Sequence, residues 1–142
     1  MATFLDQING GFVAYTFGKS EIAAIVDKRI FPDVAPQDMA DPHIIYTMAD
    51  GHRIKSHQGI NSGGARNLTL HIYAIGVDQP QANLLAELLE DRWLAVDNVT
   101  AAGTLVQVCN GGRYDSGQWF PKDSSGEHLF YVRLVLRFLL GQ

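Results

Sequence analysis

Apolar and polar residues alternate most regularly in two segments, and both predict strands. In residues 68–74 every second side chain is aliphatic, and the side chains between them are Thr, His and Tyr. The segment 128–138 also alternates: from Phe130 onward one face is wholly apolar, whereas the other carries Arg133 and Arg137 among apolar residues. Successive side chains of a strand point to opposite faces. A long strand with one apolar and one amphipathic face is typical of an antiparallel sheet that is backed by helices.

The apolar side chains of residues 79–96 recur at helical spacing instead and predict one long helix. Asp78 precedes this segment as an N-cap, and Pro80 lies in the first turn, where its missing N–H is not needed. Acidic residues occupy positions outside the apolar stripe. The stripe is predicted to consist of Leu84, Leu85, Leu88, Leu89, Trp93 and Val96.

Shorter helices are predicted in the N-terminal region. Residues 4–15 carry apolar side chains at helical spacing, although the pair Gly10–Gly11 weakens the pattern, since each glycine costs about 1 kcal/mol in a helix interior. A second helix is expected to start at Ser20 and to end before Pro32. Residues 29–32 should therefore leave it in extended form.

A hairpin is predicted in the next part of the chain. Asp50–Gly51 is a two-residue turn signal, which predicts a strand over residues 43–49 and its return over residues 52–57. The glycine-rich stretch 58–65 is expected to form a flexible loop.

A second glycine pair, Gly111–Gly112, is expected to turn the chain between strands over residues 104–109 and 113–120. Together the elements predict an α+β fold that forms a single domain over residues 1–142. Its mainly antiparallel or mixed sheet has about five to six strands and packs with one long helix and the shorter N-terminal helices. A chain of 142 residues fits one domain with a usable core.

Composition narrows the function classes. Charged residues make up 18% of the chain, against about 25% in an average soluble protein, and the net charge is −4. The whole chain has no basic footprint for nucleic acid, and its longest apolar stretch is too short to span a membrane. The N-terminal residues predict no secretory signal, and the single cysteine, Cys109, favours a reducing compartment. The charge deficit indicates either an unusually neutral surface or a surface that faces other protein.

The charges are unevenly distributed along the chain. Residues 51–76 carry Arg53, Lys55 and Arg66 and no acid, whereas residues 77–103 carry five acids and one arginine. Chance placement on a solvated surface explains this distribution. Contact between neighbouring copies that present opposite charges explains it as well.

No catalytic or metal-binding pattern emerges from the sequence. No two of the five histidines form an i, i+4 pair on a helix, and no C-x-x-C motif occurs. Cys109 follows valines in a predicted strand, where a buried structural thiol is the simpler interpretation. The sequence also has no G-x-S-x-G nucleophile motif and no phosphate-binding loop. We therefore expect no metal site, and the residues alone indicate a part of an assembly rather than an enzyme, with a small enzyme kept as an alternative.

One segment keeps a second function class open. Tyr131, Arg133 and Arg137 interleave aromatic and basic side chains on the last predicted strand. Such a pattern can bind single-stranded nucleic acid. A cross-strand ladder within the sheet accounts for the same three residues.

The segment that follows the second helix carries a more specific pattern. Residues 29–37 read RIFPDVAPQ, and Pro42 opens the sequence PHIIY. This segment resembles the opening motif of the tail completion (tail terminator) proteins of tailed bacteriophages. In that family a short helix runs into an R-[IV]-[YF]-P segment, a proline-containing loop and a P-x-I-x-Y strand. The later strands and the long helix also follow the family order over nearly the whole chain.

The resemblance implies a non-enzymatic virion protein, without cofactors, that forms a ring, expected to be a hexamer, on the end of the tail tube. Such a ring stops tube polymerisation and joins the tail to the head. The implied partners are further copies of the chain, the tail tube protein and a neck or head-completion protein, with no membrane. Genomic DNA would pass through the ring without specific binding. The implied location is the tail and neck of the virion, after synthesis in the bacterial host cytoplasm.

Two alternatives stay open, namely another neck component, such as a head-completion or connector protein, and a small nucleic-acid-binding factor. Within the resemblance, Arg29 is expected to pair with an acid of its own or a neighbouring subunit, or to be a solvated cation at the helix end. The 58–65 loop is the candidate contact with the tube or neck protein. The predicted partner and oligomer interface comprises Arg29, Arg53, Lys55, Gly59, Asn61, Arg66, Glu87 and Asp91.

Overall fold

A computed structural model describes residues 4–36, 39–55, 61–94, 99–101, 104–119 and 129–141. Three helices and six strands lie in these ranges. Their bounds are α1 Phe4–Phe17, α2 Ser20–Val26, β1 Ile30–Pro32, β2 His43–Lys55, β3 Asn61–Gly76, α3 Gln79–Leu94, β4 Val99–Ala101, β5 Thr104–Trp119 and β6 Leu129–Gly141.

The strands form one mixed sheet in the order β1-β2-β3-β6-β5-β4. β1 runs parallel to β2, and the other neighbouring pairs are antiparallel. All three helices contribute to the main core on one face of this sheet. The predicted α+β class with a mixed sheet is confirmed, whereas the short strand β4 was not predicted.

The main core forms where the predicted alternation places aliphatic side chains. Trp93 of α3 lies within it, with its ring stacked on Phe12 at 5.3 Å and edge-on to Phe138 at 5.2 Å. The Trp93 indole N–H donates to Thr16 Oγ1 at 3.1 Å, so both polar groups are satisfied in the core. β3 and β6 each bury four alternating residues on this face: Leu68, Leu70, Ile72, Ala74, Val132, Leu134, Leu136 and Phe138.

Helix α1 continues through Gly10–Gly11 because tertiary packing offsets their low helix propensity. Phe12 is 2% exposed, and the Tyr15 ring packs against Trp93 at 4.5 Å. Tyr15 and Arg92 also exchange hydrogen bonds: the Tyr15 hydroxyl donates to Arg92 O at 3.2 Å, and Arg92 Nε donates to Tyr15 O at 3.0 Å. These contacts join the predicted N-terminal helix to α3.

Helix α3 begins as predicted but presents a different apolar face. Asp78 Oδ1 accepts the Gln81 N–H at 2.8 Å, which is the expected N-cap contact. The prediction was wrong for Leu84, which is 50% exposed. The helix turns small residues toward the sheet instead, and the chain packs so closely there that a Cβ on Gly76 would lie 2.7 Å from Ala82 N. Val96 lies outside the described residues, and the buried face comprises Ala82, Leu85, Ala86, Leu89 and Trp93.

The predicted hairpin turn at Asp50–Gly51 is wrong. β2 continues through both residues to Lys55 and pairs with β3 along its length. A register shift that follows Met48 absorbs one extra residue, so the polar pair lies beside a bulge rather than in a turn. Continuing the ladder pairs more backbone groups than a turn would. Because β3 begins at Asn61, the predicted 58–65 loop is also wrong over most of its length.

The predicted turn at Gly111–Gly112 is wrong as well, because β5 runs through both residues opposite β6. Gly111 has φ of +132°, and a Cβ there would collide with the Val135 carbonyl oxygen. The missing side chain therefore allows β5 to approach β6 closely. A register shift between Arg113 and Asp115 takes up an extra residue.

Candidate assembly interface

The distal end of the β2–β3 hairpin brings four of the predicted interface residues together. Arg53 lies directly opposite Arg66 in the antiparallel ladder, and Lys55 lies opposite Asn61. Like charges at facing positions of a sheet are unfavourable unless other charges compensate them. Contact of this end of the hairpin with an acidic partner stays a prediction. Gly59, the fifth predicted residue of this segment, lies outside the described residues.

The outer surface of α3 carries the acidic half of the predicted interface. Glu87 and Asp91 are one helical turn apart, and both are exposed. The exposed Leu84 lies on the same side of the helix, so this surface is a strip of mixed apolar and acidic character. Glu90 differs from its neighbours because it pairs with Arg113 of β5 at 2.7 Å, which joins α3 to that strand.

Arg29 lies apart from both charge groups, beside the start of β2. Its Nε donates to Pro42 O at 2.7 Å, and its Nη2 donates to Ile25 O at 3.1 Å. The guanidinium thereby joins the last turn of α2 to the residue before β2. These contacts agree with the expected position of Arg29 at a helix end. A role for Arg29 at a subunit interface stays a prediction.

Next to Arg29, a histidine is buried that the sequence did not single out. His43 is 1% exposed, and its Nδ1–H donates to Asp41 O at 2.7 Å, whereas Nε2 has no partner among the described residues. Burial lowers the pKa of His43; the bond to Asp41 opposes this shift, and the charge of Arg29 adds to it. Burial likewise raises the pKa of Tyr46 to about 12. Both shifts favour the uncharged forms of the two side chains at this end of the sheet.

The face of the sheet opposite the helices carries a second, smaller cluster. Three buried aliphatic residues lie under three partly buried aromatic residues, and the aromatic rings are 5.3–6.0 Å apart. Such tilted and edge-on contacts are favourable for aromatic rings. Its members are Ile45, Tyr73, Ile75, Trp119, Leu129 and Tyr131, and Ala35 also packs against it.

Arg133 lies on the same face and is paired within the sheet. Its Nε and Nη2 donate to the two carboxylate oxygens of Asp115 at 2.8 and 2.7 Å. The guanidinium carbon lies 4.5 Å from the centre of the Tyr114 ring, and Nη1 donates to Tyr73 Oη at 3.4 Å. The bond to Asp115 raises the pKa of Arg133 above its usual range. A nucleic-acid-binding surface would present the positive charge of Arg133 to a phosphate, but here Asp115 binds that guanidinium.

The described residues include neither a grouped set of metal-ligating side chains nor a membrane-spanning helix. Among them, no three His, Cys, Asp or Glu side chains are grouped so that they could hold a metal ion. No helix in the described ranges has the length and apolar character needed to cross a bilayer. The side chain of Cys109 lies outside the description.

The chain matches no protein-family model and no curated protein. It does match chains in solved structures, 24 in number. One of them belongs to the virion of a native gene transfer agent (GTA) particle. That chain has a TM-score of 0.60 and 14% sequence identity, and the match covers 94% of this chain and 96% of that chain. The two chains therefore share a fold over nearly their whole lengths.

Proposed function

We propose that this chain is a structural protein of a phage-like virion that caps the tail tube as a ring, expected to be a hexamer. The observation that carries the proposal is the shared fold with a chain of a GTA virion, because it extends over 94% of this chain. The segment 29–46 supports the finer role, since it follows the order of the tail-terminator motif: helix end, extended strand, proline-containing loop and strand.

In this role the ring ends tube polymerisation and forms the surface that joins the tail to the head. Its proposed partners are further copies of the chain, the tail tube protein and a neck or head-completion protein. Genomic DNA passes through the ring without specific contacts, and the protein resides in the tail or neck of the virion. The role includes no enzymatic step and no cofactor.

Deletion of the gene from the particle-producing strain tests the capping role. Without a cap, tube polymerisation continues, so electron microscopy should show tails longer than those of the parent, without attached heads. A plasmid copy of the gene should restore the normal length. Headless tails of normal length would point instead to a head-completion or connector protein. Normal, infectious particles would contradict every neck role.

A nucleic-acid-binding role has one observation in its favour, since Arg137 is exposed on the same face as the aromatic cluster. Binding of single-stranded DNA by the purified protein should then weaken steeply as salt rises. An Arg137→Glu variant should lose it, whereas the capping role predicts that neither protein binds measurably at physiological salt.

A further inference from the structure

Both edges of the sheet end in strands too short to cover their neighbours. β1 has 3 residues and pairs with residues 44–46 of β2, which has 13. β4 also has 3 residues and pairs with residues 104–106 of β5, which has 16. Within the described ranges, no further strand pairs with the outer side of residues 47–55 or 107–119. We call these two stretches the open β2 edge and the open β5 edge.

Backbone hydrogen-bonding groups face outward along the open β2 edge. Ile44 N–H donates to Arg29 O at 2.9 Å, and Tyr46 O accepts the Asp33 N–H at 2.8 Å, so both residues direct their backbone groups away from β3. These directions alternate along a strand. The N–H and C=O of Met48 therefore point to the same side, where β1 has already ended. An edge of this kind is a template for another strand.

The strand directions of the two open edges allow one copy to pair with the next. Three antiparallel pairings lead from β2 through β3 and β6 to β5, so β2 and β5 run in opposite directions. A rotation about an axis along the strands preserves these directions. The β5 strand of one copy would therefore lie antiparallel to the β2 strand of the next. Since each copy has one edge of each kind, such a contact is head-to-tail and closes into a ring when the rotation closes.

Register favours a second copy as the occupant of these edges, because the two open stretches overlap in height. Thr47 lies in one row of the sheet with His71, Val135 and Gly112, and Gly51 lies in another with Leu68, Phe138 and Cys109.

The Glu90–Arg113 pair joins α3 to β5, and the exposed Glu87 lies one turn from Glu90. The acidic surface of α3 thus accompanies the open β5 edge. The open β2 edge ends with Arg53 and Lys55 in its sequence. Arg53 lies in one row with Arg66, Leu140, Val106 and Val99, so a rotation about the strand direction sets this basic end beside β4 of the next copy rather than beside the acidic helix.

Irregularities in both strands make the pairing selective. β5 contains two register shifts that each add a residue to it, and β2 contains one, after Met48; the second shift of the β2–β3 ladder adds residues to β3 instead. Bulges bend and twist an edge, so a flat foreign strand pairs with it poorly, whereas an edge of complementary shape pairs well.

We propose that the open β2 edge of one copy pairs antiparallel with the open β5 edge of a second copy, so that a continuous sheet closes the ring. This inference rests on the proposed ring and specifies the contact that builds it.

Disulfides between copies test the pairing, because the only cysteine of the chain, Cys109, lies on β5. Single cysteines are introduced into β2 by Thr47→Cys, Met48→Cys, Ala49→Cys, Gly51→Cys and Arg53→Cys. Each full-length variant is checked by thermal melting, oxidised and run on a non-reducing gel. A disulfide requires Cβ atoms within about 4.5 Å. Paired edges should therefore give, at one or more positions, a ladder of covalent multimers that extends to the size of the ring.

Three controls accompany the scan. The β2 cysteines combined with Cys109→Ala, and the wild-type chain itself, carry one cysteine each and should remain monomeric on the gel. Ala24→Cys, at an exposed position of α2, should form no ladder with Cys109.

The outcomes separate this inference from the proposed function. A covalent dimer from either single-cysteine protein, without a ladder in the scan, would mean that like edges pair and would overturn the inference. A wild-type ring in light scattering, with no ladder at any β2 position, would overturn edge pairing and leave the capping role standing. If the wild-type chain forms a ring neither in solution nor on tail tubes, both proposals are wrong.

Discussion

At the scale of single residues, burial of His43 links the stability of the fold to pH. In the unfolded chain a histidine titrates near 6.5, whereas burial lowers the pKa of His43 in the folded chain. Below about pH 6.5 the unfolded state therefore binds a proton that the folded state resists. The free energy of unfolding should fall as the pH drops from neutral toward the lowered pKa, by at most about 1.4 kcal/mol per pH unit for this one group.

Urea unfolding at several pH values between neutrality and mild acid measures this dependence. The wild-type chain should lose stability toward the acid end, and His43→Gln should lose distinctly less. His71→Gln is the matched control, because His71 lies half-buried on β3, and that variant should keep the wild-type loss. Equal losses in the wild type and in His43→Gln would contradict the assignment.

Two arginine–carboxylate pairs among the described residues, Arg133–Asp115 and Arg113–Glu90, should differ in strength. Arg133 and Asp115 form two parallel hydrogen bonds, with side chains 21% and 38% exposed, whereas Arg113 and Glu90 form one, at 46% and 23%. Bidentate geometry and lower exposure of the arginine favour the first pair. Double-mutant cycles should give a coupling of about 1 kcal/mol for Arg133–Asp115 and about half of that for Arg113–Glu90. A larger coupling for Arg113–Glu90 would refute this ranking.

The partner of Arg133 illustrates what the sequence does not reveal at this scale. Arg133 and its neighbours Tyr131 and Arg137 can be recognised in the sequence as an alternating ladder. Asp115, however, lies 18 residues away on a strand with a register shift, so which residue faces Arg133 depends on where that shift falls. The sequence alone therefore leaves Arg133 available for nucleic acid, whereas the structure pairs it with Asp115.

At the scale of elements, the sequence predicted correctly those features that depend on neighbouring residues. The alternation over residues 68–74 predicts which face of β3 is buried, and Asp78 predicts the start of α3, because both depend on neighbours in the sequence. The turns predicted at Asp50–Gly51 and Gly111–Gly112 were wrong for the opposite reason, because a strand there depends on partners that are distant in the sequence. Whether Asp50–Gly51 turns or remains in a strand depends on a partner strand long enough to pair with it, and β3 supplies that partner.

Because the turn at Asp50–Gly51 was predicted wrongly, the sequence did not reveal that the interface residues of β2 and β3 lie opposite one another. With a turn at Asp50–Gly51, Arg53 would lie on the return strand over residues 52–57, and Arg66 would follow the predicted 58–65 loop. In the structure the two arginines face each other across the β2–β3 ladder. The exposed positions of Glu87 and Asp91, in contrast, were predictable from helical spacing alone.

The close approach of β5 and β6 predicts that a side chain is tolerated at Gly112 but not at the neighbouring Gly111. A Cβ on Gly111 would collide with the Val135 carbonyl oxygen, and its φ of +132° disfavours any L side chain. Gly111→Ala should therefore destabilise the fold by about 3 kcal/mol. Gly112→Ala should cost no more than about 1 kcal/mol, since the nearest atom to its Cβ is Glu90 Oε2 at 3.7 Å. Equal melting temperatures for the two variants would show that β5 does not approach β6 in this way.

At the scale of the whole molecule, the structure shows where the few charged residues of the predicted interface lie. Only 18% of the residues are charged. Apart from Arg29, the predicted interface charges fall on two separate surfaces, the distal end of the β2–β3 hairpin and the exterior of α3. Two complementary surfaces on one chain suit a head-to-tail contact, because each copy then offers one surface to each neighbour. The low charge elsewhere fits a molecule that other protein covers on several sides.

An electrostatic contact between these two surfaces, distinct from the pairing of strand edges, makes the proposed ring sensitive to salt. Between 0.1 M and 1 M salt the screening length falls from about 10 Å to about 3 Å, so the mass measured by light scattering should drop toward that of the single chain. At low salt, Glu87→Lys with Asp91→Lys should have the same effect, whereas Glu21→Lys, at an exposed acid of α2, should not. Adding Arg53→Glu and Arg66→Glu to the first pair should restore the ring, because both surfaces are then reversed together. A ring indifferent to salt and to these reversals would have to be held by the strand edges alone, and the charge asymmetry of the chain would then have no part in assembly.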